Sequence, residues 1–437
     1  MRSKLGKAHA DAEEPLTVEK QDSTGTFLGS CRALDLTDRE DLFCGRVLAD
    51  LGADVIKVES PGGDPSRNIA PFYQDSCELE NSLHWLVYNL NKRGITLDIE
   101  SADGRVIFKR LTETADLVIE SFPPGYMDKL GLGYSELSKV NPRIIVTSIT
   151  PFGQEGPYND YKSSDIVNMA MGGLMYPTGT PDRPPLRVTV PQSYTIAGIN
   201  AAMATMVAHY YREMTGEGQH VDVSVQASVA SVLCNFVPIW ELNKINVSRL
   251  GSFLTGRATG TRQRTLWRCK DGYVILAIFG GALGRKTNQG MVEWMDSEQM
   301  APDYMKQIDW GTLDFASVTQ ELQDSLEKPI GEFVLKHTKA ELFAEAIKRG
   351  IMLFPVCSPK DIVENEQLQS RGFWLEVEHP EKDARIKYPG FFIKASETPC
   401  QLRDRAPLLG EHNSEVYVGE LGLSTQELVR LKENKVI

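Results

Sequence analysis

CRALDLTDREDLFCGRVLADLGADVIKVE (Cys31–Glu59) is the stretch that decides the fold. Cys31–Leu36 (CRALDL) reads as a short buried strand, and Asp41–Leu51 (DLFCGRVLADL) places Leu42, Val47, Leu48 and Leu51 on one helical face. Gly52 follows as the residue that closes the helix, and Asp54–Glu59 (DVIKVE) is the next strand. A strand–helix–strand unit predicts a parallel sheet.

The pattern repeats downstream. Ile95–Ile99 is strand-like, and Asp103–Thr114 is an amphipathic helix with Val106, Ile107 and Leu111 inward. Leu117–Glu120 and Ile144–Ser148 are further strands, separated by a helix around Tyr134–Val140. Strands alternating with helices over about 120 residues predict an α/β, open, doubly wound, Rossmann-like domain. No G-x-G-x-x-G stands at a strand-to-helix turn, so a dinucleotide site of the usual kind is not expected.

A long helix is expected from Thr195 to Met214, ending at Thr215-Gly216-Glu217-Gly218. A strand (His220–Ser224) and a buried helix (Val225 to about Trp240) follow. TLWRC–KDG–YVILAI (Thr265–Ile278) is a hairpin signal with Asp271-Gly272 at the turn. Beyond it, amphipathic helices such as Ala340–Arg349 mark a smaller α+β domain, and Thr425–Glu433 is a closing helix. The expected organisation is a polar leader (1–26), a large domain (27–225), a linker (226–264), a small domain (265–375) and a C-terminal return segment on the large domain (376–437). There is no internal repeat and no low-complexity segment.

Composition agrees with two domains. The 437 residues exceed the roughly 250–300 at which one core stops growing. With 47 basic and 59 acidic residues the net charge is −12, which disfavours nucleic acid as the main partner but leaves room for one local basic pocket. Seven scattered cysteines without C-x-x-C, and histidines without H-E-x-x-H, predict a reduced cytoplasmic protein with no metal site. No apolar run approaches the ~20 residues of a membrane span, and Met1 to about Gly25 lacks the apolar core of a signal peptide.

Several stretches resemble the family III CoA-transferases, the group of formyl-CoA and carnitine CoA-transferases and α-methylacyl-CoA racemases. They are GRVLADLGADVIKVESPGGDPSR (Gly45–Arg67), NKRGITLDI (Asn91–Ile99) and ADLVIESFPPGYMDKLGLGY (Ala115–Tyr134). NPRIIVTSITPFGQEGPY (Asn141–Tyr158), DIVNMAMGGLMYPTG (Asp165–Gly179), TGEGQHVDVS (Thr215–Ser224) and RAPLLGEH (Arg405–His412) continue the match in family order. The resemblance implies an open α/β domain plus a small domain, with two chains interlocked like links. It also implies coenzyme A or acyl-CoA as substrate, and no metal.

In that family one aspartate carboxylate attacks the acyl-CoA thioester, forms a mixed anhydride and then an aspartyl-CoA thioester, dividing one hard exchange into easier ones. It sits four residues before a glycine, in a segment of the form P-x-A-D-x-x-A-G. The matching segment is Val190-Pro191-Gln192-Ser193-Tyr194-Thr195-Ile196-Ala197-Gly198, which puts Tyr194 at the aspartate position. A phenol with a pKa near ~10 is neutral at pH 7 and would give an unproductive aryl ester. The implied reading is a subunit without its own nucleophile, in a heteromer whose aspartate-bearing paralogue supplies one. The alternatives are a stand-alone transferase using Asp165, or an acyl-CoA-binding scaffold without transfer activity.

The resemblance assigns cofactor contacts residue by residue. Lys162 matches a CoA-contacting lysine and is otherwise a solvated loop lysine. Ser121 and Phe122 match the adenine end of the CoA site, past the carboxyl end of a strand, although Phe122 also reads as core. Leu97 matches an adenine-flanking leucine, and Lys129 replaces an arginine near the phosphates. Asn91-Lys92-Arg93 is a basic patch read as a phosphate contact. Glu100 and Ser60 stand where relatives carry basic residues. Asp38-Arg39-Glu40-Asp41 replaces a small, apolar turn that lies along CoA, with Arg39 the one base to offset its acids. Phe279–Gly284 matches a mobile glycine loop or is a plain loop after a strand, and Asp165 orients substrate or caps the helix after it.

Overall fold

The computed structural model describes residues 25–38, 42–255, 260–278, 280–313 and 318–437. The leader 1–26 therefore lies almost wholly outside the described residues, as do Arg39, Glu40, Asp41 and Phe279.

The chain runs β1 (Arg32–Leu36), α1 (Phe43–Asp50), β2 (Asp54–Glu59), α2 (Leu83–Tyr88), β3 (Lys92–Thr96), α3 (Ala102–Thr112) and β4 (Leu117–Glu120). It continues through α4 (Tyr126–Lys129), α5 (Tyr134–Val140), β5 (Ile145–Thr150), α6 (Asp165–Met171), α7 (Ser193–Thr215), β6 (His220–Ser224), α8 (Val225–Ser231) and α9 (Phe236–Asn243). The six strands form one parallel sheet in the order β3-β2-β1-β4-β5-β6. The doubly wound α/β reading from the sequence is thus correct, and the strand order reverses between β1 and β4.

The sheet belongs to a compact unit of residues up to Ser163, Ser193–Ser228 and Trp374–Ile437. Because side chains alternate along a strand, Leu34, Ile56, Ile95, Val118 and Val146 cover one face, and Ile107, Phe108, Leu111 and Leu137 pack onto it. Ala33, Val55, Leu117, Ile119 and Ile145 cover the other, against α1 and α7. Gly198 brings those two helices together, because a Cβ there would lie 3.1 Å from the Cys44 backbone nitrogen. Gly52 follows α1 at φ +105°, a conformation glycine reaches without steric cost.

The second unit comprises Ser164–Gln192 and Val229–Phe373. The stretch 164–192, grouped with the large domain from sequence, clusters here instead. The unit's core gathers Trp267, Val274, Trp294, Met295, Leu326, Phe333 and Leu342. The expected hairpin is present, but Cys269 pairs with Gly272, so the connection is Lys270-Asp271 and not Asp271-Gly272. The Asp271 carboxylate instead accepts the Lys339 N–H (2.8 Å), which fixes the start of the helix Lys339–Arg349.

Three further expectations are corrected. Val106 is 61% exposed, because Ile107, Phe108 and Leu111 set the buried face of α3 and Val106 lies about 100° away from it. The β3 pairing begins at Lys92, where Lys92 faces Val55, and ends at Thr96 rather than running from Ile95 to Ile99. Val225–Trp240 is two helices. Pro238 has no N–H and its ring collides with a preceding turn, so it is tolerated only in the first turn of α9. None of the residues of α9 is buried. Among the described residues no single helix is long and apolar enough to cross a membrane, and all seven cysteines are free thiols.

Candidate active site

Open parallel sheets bind ligands beyond the carboxyl ends of their strands, where the strand order reverses. Here that place lies between the ends of β1 and β4. The Asp38 N–H donates to Ser121 Oγ (2.9 Å), and the Ser121 hydroxyl donates back to Asp38 Oδ1 (3.2 Å), joining the two strand ends. Leu97 is buried in the adjoining core, with Phe122 and Tyr126 packed on that same cluster. The Phe122 and Tyr126 rings lie 4.8 Å apart, and the Tyr126 hydroxyl donates to Glu100 Oε1 at 2.6 Å. Leu97, just past β3, and Ser121 and Phe122, just past β4, thus all lie at the carboxyl end of the sheet. Lys129 is exposed at the end of α4, and Lys162 is exposed in an irregular segment after β5. Among the described residues no hydrogen bond or ion pair ties either lysine to Ser121 or Phe122.

Glu120, which sequence reasoning passed over, ends β4 beneath this loop. Its carboxyl accepts the Phe122 N–H (2.7 Å) and a bond from the Ser148 hydroxyl. Ser148 Oγ also lies 2.9 Å from His220 Nε2. Burial, with Asp128 and Asp222 nearby, pushes the Glu120 carboxyl up to about 7 against the effect of those hydrogen bonds. Burial and then the Glu100 contact push the Tyr126 phenol up to about 12. The signal for Glu120 was an acid closing an otherwise apolar strand, LVIE.

The β1–α1 turn is held from below by four fully buried or nearly buried charges. Lys92 pairs with Asp35 at 2.8 Å, and Lys57 with Asp64 at 3.0 Å. Asp35 Oδ1 accepts the Thr37 N–H (3.0 Å) and hydroxyl (2.6 Å), and Lys57 donates to the Thr37 carbonyl. Lys92 reaches the Leu42 carbonyl (3.3 Å), so both ends of the turn are anchored. Burial alone would raise the Asp35 carboxyl, but Lys92 and Lys57 hold it below its ordinary value. Gly45 leaves the room, since a Cβ there would meet Asp35 Oδ2 at 2.0 Å.

The Asn91-Lys92-Arg93 patch is accordingly no phosphate contact. Lys92 is buried against Asp35, Arg93 binds Asp54 (2.7 Å), Glu415 (2.9 Å) and Glu420, and Asn91 donates to Asp50 (2.9 Å). Carboxylates of the same chain engage the whole run. The Ser60 hydroxyl donates to the Gly63 carbonyl at 2.9 Å. Gly281–Gly284 is not a loop but the first turn of the helix Gly281–Ser297. Ser164, not Asp165, is the residue before α6, and the buried Asp165 accepts the Gln192 N–H at 2.8 Å. Tyr194 lies in the first turn of α7, half-buried, with its ring packed on the α1-side core.

The sequence profile of CoA-transferase family III spans residues 41–413. The chain belongs to this family. It is 34% identical, over 404 residues, to the succinyl-CoA:(R)-benzylsuccinate CoA-transferase subunit BbsE of Thauera aromatica, covering 92% of this chain and 95% of that one. It is also 34% identical, over 434 residues, to the formyl-CoA:oxalate CoA-transferase of Streptomyces avermitilis, covering 94% and 99%. The crystal structure of a CAIB/BAIF family protein from Brucella suis superposes with a TM-score of 0.77 at 28% identity, over 89% of this chain and 98% of that one. Membership supports, at the level of the family, CoA transfer between an acyl-CoA and a carboxylate.

Proposed function

We propose that this chain is a subunit of a heteromeric family III CoA-transferase that moves CoA between an acyl-CoA, such as succinyl-CoA, and a carboxylic acid. The paralogous partner supplies the attacking aspartate in an interlocked, cytoplasmic heteromer. The observation that carries the reading is Tyr194 in the segment Val190–Gly198, a neutral phenol where the motif calls for an ionised carboxylate. Asp165 is a poor replacement, because its carboxylate already serves the Gln192 N–H. The relative from Thauera aromatica is itself named as a subunit, which makes (R)-benzylsuccinate the first acceptor to assay and anaerobic toluene breakdown the setting it suggests.

Helix α7 supports assembly with another chain. Its buried face carries small residues (Ala197, Gly198, Ala201, Ala202, Ala208), whereas Ile199, Met203, Val207, Tyr210 and Met214 are each at least half exposed at helical spacing. Large apolar residues outward and small ones inward suit a helix covered on both sides. Met203→Glu with Val207→Lys is expected to leave folding within about 0.5 kcal/mol, as for most exposed sites. Gel filtration should show the complex lost; an intact complex would remove α7 from the interface.

Co-expression with an aspartate-bearing paralogue is the test of function. Succinyl-CoA and benzylsuccinate should exchange CoA in the complex but not with this chain alone. Tyr194→Phe in the complex should leave turnover within a few fold, since only a hydroxyl that takes no part in the chemistry is removed. Transfer by the isolated chain would overturn the reading, and a collapse of turnover in Tyr194→Phe with assembly intact would give the phenol a chemical role.

A further inference from the structure

Two arginines of the second unit share one aromatic ring. β7 (Phe253–Thr255) and β8 (Arg262–Arg264) form an antiparallel ribbon in which Phe253 faces Arg264. Arg262 and Arg264 stand two positions apart on one strand, so their side chains leave on the same face. Both guanidinium carbons lie over the Phe253 ring, 4.7 Å and 5.2 Å from its centre, and that of Arg264 also lies 5.6 Å from the centre of Trp267. The helix Gln320–Val334 fixes the strand that carries them. Gln320 Oε1 accepts the Arg262 N–H (2.8 Å), and the Gln320 amide donates back to the Arg262 carbonyl (3.1 Å). Glu327 Oε1 accepts the Arg264 N–H (2.6 Å).

Two like charges held on one ring repel unless an anion joins them, and their acidic neighbours are engaged elsewhere. Among the described residues the Arg262 guanidinium makes no hydrogen bond and no ion pair. Glu327 Oε2 stays 3.9 Å from Arg264 Nε, and Glu327 Oε1 is shared by the Arg264 N–H and Gln323 Nε2 (2.7 Å). Asp182, close enough to feel the Arg262 charge, takes its strongest hydrogen bond from the Thr180 side chain. Asp324 accepts from Gln320 Nε2 (2.7 Å). Arg249 donates to the carbonyls of Thr180 (3.2 Å) and Tyr176 (3.1 Å), bringing a further positive charge to the stretch that leads to Asp182. In a chain of net charge −12 such a gathering of guanidinium groups is no reflection of average composition. A guanidinium held by its face on a ring keeps its N–H edges for an anion and offers a carboxylate two parallel hydrogen bonds. The ring beneath gives a short carbon chain an apolar surface to rest on.

We propose that Arg262 and Arg264, seated on Phe253, form a carboxylate-binding site that takes the non-reacting carboxylate of a dicarboxylic acid or of its acyl group. The inference deepens the reading of this chain as a CoA-transferase subunit and rests on that reading for the class of ligand. A succinyl group joined to CoA through one carboxyl still carries the other as a free anion, and a free anion needs a cation to hold it.

The test is ligand-observed NMR titration of the full-length chain with succinate and with succinamide, which has the same carbon chain and no charge. Succinate should bind and succinamide should not, and raising the ionic strength should weaken succinate binding, because screening weakens attraction. Arg262→Gln with Arg264→Gln should bind succinate about tenfold more weakly, with circular dichroism checking that it folds. Arg262→Lys with Arg264→Lys keeps both charges but loses the flat two-pronged heads, and should fall between the parent and the glutamine variant. Should the double glutamine variant fail to fold, Arg262→Gln alone carries the test, since that guanidinium holds no other part of the described chain except the Phe253 ring. A several-fold loss is expected from it. The proposal is overturned if succinate does not bind the parent, binds it no better than succinamide, or binds the glutamine variant as tightly as the parent. Inorganic phosphate binding more tightly than succinate would also overturn it, by making the pair a phosphate site. Binding is measured without a partner and without turnover. Succinate held by the pair while no complex transfers CoA would remove the transferase reading and leave the site, whereas transfer by a complex whose succinate ignores the pair would do the reverse.

Discussion

Lys92→Met is expected to cost roughly 3–5 kcal/mol of stability, the penalty for leaving a buried charge without its partner. Asp35 and Lys92 are both fully buried, 57 positions apart in sequence and 2.8 Å apart in space. Methionine fills the same volume, so the loss comes from the stranded carboxylate and from the unanchored Leu42 carbonyl rather than from a cavity. Against a total of about 5–15 kcal/mol for a typical domain, such a loss is large. Urea unfolding should show the midpoint fall steeply. Adding Asp35→Asn should restore at least half of the loss, because the pair is coupled and the two effects are not additive. A single-variant cost below about 1 kcal/mol would mean that the quartet is not holding the β1–α1 turn.

Glu120→Gln is expected to remove a pH dependence worth roughly 3 kcal/mol, the size of a shift from the ordinary glutamate value of 4.5 to about 7. Between those values the folded chain keeps a proton that the unfolded chain has released. The contribution is thus fully present below about pH 4.5 and is lost as pH rises through about 7. Glutamine retains an acceptor for the Phe122 N–H and gains a donor toward Ser148, with no charge to bury at alkaline pH. Near pH 4.5 parent and variant should therefore unfold at similar urea concentrations, whereas at pH 8 the variant should be clearly the more stable. A difference that stays constant from pH 5 to 8 would sink the assignment of a proton to Glu120.

The two predictions concern groups whose states were hidden from sequence reasoning for different reasons. Lys92 looked like part of a surface patch because Asn91-Lys92-Arg93 is basic, and nothing local reveals that Asp35, Asp54 and Asp50 are the partners of that run in space. Lys57 and Asp35 did carry a signal, as charges set between apolar neighbours inside DVIKVE and RALDL, where a buried parallel strand is usually apolar. In α3 the periodicity admitted Val106 to the apolar face, and the packing of Phe108 decided against it. Leu97, Ser121 and Phe122, singled out by resemblance, all lie at the carboxyl end of the sheet, whereas Glu120 beneath Phe122 was passed over.

Taken alone, the sequence determined the alternation of strands and helices, the parallel sheet and the family. Each of these is written in the period or the order of neighbouring residues, and survives without knowledge of distant partners. Tertiary structure alone decided which charges are paired, which glutamate carboxyl burial pushes upward and which partners the Asp38 and Phe122 amides take at the sheet end. Desolvation and Coulomb energy depend on what lies within a few ångströms in space, and in this fold those neighbours come from strands and turns dozens of positions apart.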